Sequence, residues 1–136
     1  VSRMYFIDSA TQGIDVFDFD VGAGSASNRR RLVTIERAHG VPDGMTTDDR
    51  GNLWVACFGG AAVRCYSPAG VQLDEVRFPV TQVTSCTFGG PDLAELYVTS
   101  AAYQLSTGQL KKEPHAGATF VCRPGAAGMP ASTFAG

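Results

Sequence analysis

The chain has 136 residues, of which 44% are hydrophobic and 18% charged, with a net charge of −2. This composition fits one ordinary folded domain and excludes a disordered chain. It also excludes the concentrated basic face of a nucleic-acid binder, and no apolar run approaches the roughly 20 residues that span a bilayer.

Sixteen Gly and seven Pro predict many turns and favour an all-β design. Residues 3–8 read as a buried strand followed by a polar turn. Residues 14–20, Ile-Asp-Val-Phe-Asp-Phe-Asp, alternate apolar and acidic side chains with period two, as a half-buried strand does. The alternation slips at Val16-Phe17, which predicts a bulge. A Gly-, Ala- and Ser-rich loop is expected over 21–28, and a third strand over 31–35. The run Arg29-Arg30-Arg31 reads as a solvated strand edge, not a phosphate grip.

A second round follows, with strands expected over 44–48, 53–57, 62–66 and 73–78, and a tight turn over 49–52. A third has strands over 83–88, 96–100 and 118–122. The polar insertion between the last two, 101–117, is expected to hold one helical turn at most. The remaining tail offers no strand of similar length. No stretch shows helical periodicity over ten residues.

The rounds align. Tyr5, Trp54 and Tyr97 occupy one position and recur 49 and then 43 residues apart. Four short strands in roughly 40–50 residues mark a β-propeller blade. The first round lacks an inner strand and the last an outer one. The expectation is therefore a C-terminal part of a single propeller domain over residues 1–136, with further blades encoded before Val1. The absence of an initial Met, and a strand starting almost at once, agree with that expectation.

One stretch stands out for chemistry: Val41-Pro42-Asp43-Gly44-Met45, followed by Gly51-Asn52-Leu53-Trp54-Val55-Ala56. Pro42 fixes its own φ and pushes Val41 toward extended geometry. Gly44 is expected to bend the chain and leave open space beside Asp43. A carboxylate so placed suits a metal ion or a proton. Pro-Asp-Gly is also ordinary turn chemistry, and the local pattern leaves both readings open. Asp48-Asp49 lacks the spacing and bidentate Glu of a Ca²⁺ loop and reads as a hairpin turn. Ser85 reads as a core hydroxyl bonded to backbone ahead of a tunnel-lining one. Cys57, Cys65, Cys86 and Cys122 show no CxxC pair, which argues against zinc. Each lies in an apolar strand-like segment, so they read as reduced, buried thiols of a cytoplasmic protein.

Pro42-Asp43-Gly44-Met45, Gly51 to Ala56, Thr84-Ser85-Cys86-Thr87-Phe88-Gly89-Gly90 and Leu96-Tyr97-Val98-Thr99-Ser100-Ala101 together resemble the senescence marker protein/gluconolactonase/luciferin-regenerating enzyme-like family (regucalcin-like). Tyr5-Phe6-Ile7-Asp8-Ser9 and the closing Phe134-Ala135-Gly136 also fit. The resemblance implies a six-bladed β-propeller, with about the last three blades in this chain. It implies a hydrolase that opens sugar lactones such as gluconolactone to aldonic acids, using one divalent cation (Ca²⁺, or Zn²⁺, Mg²⁺ or Mn²⁺). It implies that Asp43 is both a metal ligand and the base toward the attacking water. The family's other ligands, a Glu and the Asn of an Asn-Gly motif, would precede Val1. The isolated 136 residues are therefore expected to be inactive. The other class of function is a noncatalytic propeller that binds a small molecule, a cation or a protein partner.

Overall fold

In the computed structural model, which describes residues 2–133, the chain folds into three antiparallel sheets, each a meander in chain order. The first holds β1 (Ser2–Asp8), β2 (Gly13–Asp20) and β3 (Ser25–Thr34). The second holds β4 (Val41–Thr47), β5 (Leu53–Phe58), β6 (Ala62–Tyr66) and β7 (Gln72–Arg77). The third holds β8 (Val83–Gly89), β9 (Glu95–Ser100) and β10 (Thr119–Cys122). Val1 and the closing residues 134–136 lie outside the described residues.

The pattern of β5 decides the packing. Leu-Trp-Val-Ala-Cys is apolar at every position, as a strand covered on both faces requires. Leu53, Val55 and Cys57 join Ile14, Val33 and Ile35 in a core between the first and second sheets. Trp54 and Ala56 face the other way and join Val83, Cys86, Leu96 and Val98 between the second and third. Trp54 meets Phe88 edge to face, with ring centroids 5.7 Å apart. The middle sheet is thus clasped on both faces, and the three sheets stack as blades of a β-propeller. Contacts of β4 with β1 and with β8 bring the inner edges together.

Three local expectations need correction. The second half of the expected loop over 21–28 is strand, because β3 begins at Ser25. Its polar run is held by ion pairs in place of burial: Arg29 and Arg31 both reach the buried Asp15, and Arg30 reaches Asp18. The insertion carries a six-residue helix, α1 (Thr107–Lys112), longer than the single turn expected. Ser106 and Gln109 form a reciprocal capping box that stabilises its start. The strand carrying Asp43 begins at Val41, not at Gly44. The bulge expected at Val16-Phe17 is present as a register shift between Val16 and Asp18.

Candidate functional site

The turn reading of Pro42-Asp43-Gly44 does not hold, because these residues lie within β4. Pro42 pairs with Cys57, and pairing resumes at Met45 opposite Val55. Asp43 and Gly44 therefore face the single residue Ala56 across the ladder, which is a β-bulge. A bulge re-aims side chains on the bulged strand, and here it does so at the carboxylate the sequence singles out. Pro42 suits the position, since it is buried and has no N–H to leave unpaired.

Gly44 does not leave open space. A Cβ built on it would stand 2.2 Å from the Ser85 hydroxyl oxygen and 2.8 Å from Ser85 Cα. It is the close approach of β8, not a left-handed backbone, that demands glycine here. Ser85 is exposed, not a core hydroxyl, and its side chain lies against this glycine. One residue before it, Thr84 shares a 2.8 Å hydrogen bond with Thr99.

The segment leading into the bulge is held by side chains from two places, β6 and the β1–β2 turn. The Arg64 guanidinium, 2% exposed, donates to the His39 carbonyl at 2.8 Å. Its Nε also lies 2.9 Å from a Glu75 carboxylate oxygen. The amide of buried Gln12 donates to the carbonyls of Ile35 and Gly40, at 3.1 and 2.9 Å. The Ser9 hydroxyl donates to the Pro42 carbonyl at 2.7 Å. Gly40, at φ +91°, passes so close to Gly60 that a Cβ would stand 2.5 Å from its nitrogen. Asp43 itself remains exposed at the rim, and partial burial among these neighbours raises its carboxyl above the ordinary value of 3.8.

Sequence reasoning singled out Asp43 and missed the side chains that hold its strand. Ser9 and Gln12 lie in the β1–β2 turn and Arg64 on β6, and none shares a motif with the strand they hold. Other expected roles resolve simply. Asp48 is a buried turn anchor, with its carboxylate accepting from the N–H groups of Arg50 and Asn52, the Asn52 amide and the Trp54 indole. His39 is exposed and contributes its carbonyl. The four cysteines are free thiols, three of them buried.

Residues 1–102 match the family model described as the SMP-30/gluconolactonase/LRE-like region. The chain belongs to that family. Among relatives, it is 42% identical over 134 residues to regucalcin of Danio rerio and 40% identical over 134 residues to regucalcin of Homo sapiens. Each alignment covers 97% of this chain and 45% of the relative, so the chain spans less than half the length of the curated relatives it matches. Its structure superposes on a luciferin-regenerating enzyme with a TM-score of 0.84 at 43% identity, covering 93% of this chain and 43% of that one. It superposes on a calcium-binding protein, regucalcin, of Agrobacterium tumefaciens strain C58 with a TM-score of 0.88 at 27% identity, with the same coverage. A gluconolactonase of Xanthomonas campestris, 24% identical with a TM-score of 0.61 over 71% of this chain and 30% of that one, shares the fold. The SMP-30/gluconolactonase/LRE-like members thus confirm the propeller reading: this chain is a partial propeller.

The donor set bears on the cation this family implies. Among the described residues no group of three His, Cys, Asp or Glu side chains could hold a metal ion. A hard divalent cation takes six to eight oxygens as Ca²⁺, or about six as Mg²⁺. Asp43 supplies one carboxylate. The described residues therefore do not by themselves fit a divalent cation.

Proposed function

We propose that the complete protein is a hydrolase that opens sugar lactones to aldonic acids, and that Asp43 is its working carboxylate. The observation that carries this reading is the setting of Asp43: an acidic residue on a bulge of an inner-edge strand, with its carboxyl raised toward proton acceptance. In the reaction, Asp43 takes a proton from a water molecule as the water oxygen adds to the lactone carbonyl. The ring C–O bond then breaks, and the leaving oxygen is protonated to give the hydroxy acid. A divalent cation, when bound, would supply charge stabilisation to the developing oxyanion. Among the described residues only Asp43 would contribute to holding it, with the remaining ligands supplied by the other blades of the complete protein.

The same reading makes residues 1–136 the C-terminal part of one propeller domain. A cleft of about 650 Å³ lies between β1 and β4, lined by Met4 and Tyr5 on one side and Met45, Thr46 and Thr47 on the other. An inner strand for the first blade would lie along it. The third sheet likewise ends on an edge strand, β10. The partners are a small sugar lactone and the remaining N-terminal blades, and the free thiols fit a cytoplasmic location.

The test is a rate of D-glucono-δ-lactone hydrolysis by the full-length protein, with and without added Ca²⁺, Mg²⁺, Mn²⁺ or Zn²⁺. Metal-dependent turnover supports the reading. Cation binding without turnover favours the noncatalytic propeller. The 136-residue chain alone is expected to do neither.

A further inference from the structure

We propose that Ser9 is a positioning residue for Asp43, acting through the peptide group that joins Pro42 to Asp43. The inference rests on Asp43 being the working carboxylate. A peptide group is planar, so fixing its carbonyl oxygen also fixes the nitrogen of the next residue. The Pro42 carbonyl belongs to the same plane as the Asp43 nitrogen. The 2.7 Å hydrogen bond from Ser9 therefore sets the plane from which the Asp43 Cα–Cβ bond departs.

The rest of the neighbourhood leaves that plane as the remaining freedom. Upstream, the Pro42 ring locks φ and is buried. The carbonyls of His39 and Gly40 are tied by Arg64 and Gln12. Downstream, Gly44 is pressed against Ser85. Within the bulge itself, Asp43 and Gly44 lie outside the β4–β5 register. Pro42 is the last residue in register before the bulge, and its carbonyl is held by Ser9, from the 3-10 turn Ser9–Thr11 that closes the β1–β2 hairpin. The first blade thus aims a residue of the second. Ser9 is exposed and sits in a short turn, so its replacement leaves the cores intact.

The test compares wild type, Ser9→Ala and Ser9→Thr in the full-length protein, with D-glucono-δ-lactone as the probe. Ser9→Ala is expected to lower kcat about tenfold or more, since small misplacements of a reacting group cost up to about a hundredfold, while KM stays near wild type. Ser9→Thr keeps the hydroxyl and is expected to restore kcat to near wild type. Amide hydrogen exchange over residues 41–47, measured without substrate, should quicken in Ser9→Ala, return in Ser9→Thr and stay unchanged over β9. Wild-type kcat in Ser9→Ala overturns the proposal. So does a kcat loss that Ser9→Thr leaves unrepaired, or faster exchange across all three sheets. If wild-type protein opens no lactone, the function assigned to Asp43 fails. The exchange over 41–47 then still decides by itself whether Ser9 holds the bulge.

Discussion

The indole nitrogen of Trp54 donates to the Asp48 carboxylate at 3.0 Å. Asp48 is 1% exposed and also accepts two backbone N–H groups and the Asn52 amide. This one side chain closes the β4–β5 turn and satisfies the buried polar edge of the largest aromatic in the core. Asp48→Ala should cost about 3 kcal/mol, because it strands a buried donor along with two backbone N–H groups. Urea unfolding of the two proteins measures it.

Acid should act through Asp48 and Asp15. Burial pushes both carboxyls up, but hydrogen bonds outweigh it: from Trp54, Asn52 and backbone for Asp48, and from Arg29 and Arg31 for Asp15. Both end below the ordinary 3.8. A carboxyl depressed in the folded state contributes stability above its unfolded value, and that contribution is lost as pH falls through the folded value. The chain should therefore hold its stability down to about pH 4 and lose it below. Denaturant titrations at a series of pH values check this, and Asp15→Asn should flatten the acid limb.

Gly44 and Ser85 should behave as a coupled pair. Gly44→Ala forces a Cβ onto Ser85 and should destabilise by about 1–3 kcal/mol. Ser85→Gly in the same chain removes the side-chain clash but leaves Ser85 Cα close by. The double variant should recover part of the loss, not all. A double-mutant cycle in urea reads the coupling.

Much of this was legible from residue order. The blades announced themselves through period-two alternation and the recurrence of Tyr5, Trp54 and Tyr97, and each lies on the strand expected for it. The errors arose where tertiary partners overrule local signals. The SASN stretch, 25–28, has the composition of a loop, and pairing with β2, with Asn28 donating to Asp18, makes it a strand. Pro-Asp-Gly has the composition of a turn, and pairing with β5 makes it a bulge instead. Ser9, Gln12 and Arg64 could not be read, because a side chain's bond to a distant carbonyl leaves no periodic trace.

The thiols offer a separate check on packing. Burial pushes Cys65 and Cys86 up to about 12, so neither forms a thiolate near neutral pH. Cys122 is the less buried of the four. A disulfide exchange reagent at pH 8 should label Cys122 first in native protein and reach the others only on unfolding. Mass mapping of the labelled peptides reads the order.

The most direct measurement concerns Asp43→Asn in the full-length protein. The amide keeps the shape and removes both the charge and the proton acceptor. Turnover of D-glucono-δ-lactone should fall by about a hundredfold or more. In protein stripped of divalent cations, the melting temperature should stay at or above that of wild type, because the charged carboxylate is disfavoured by its surroundings in the folded state. A variant that keeps wild-type turnover would contradict the assignment of Asp43.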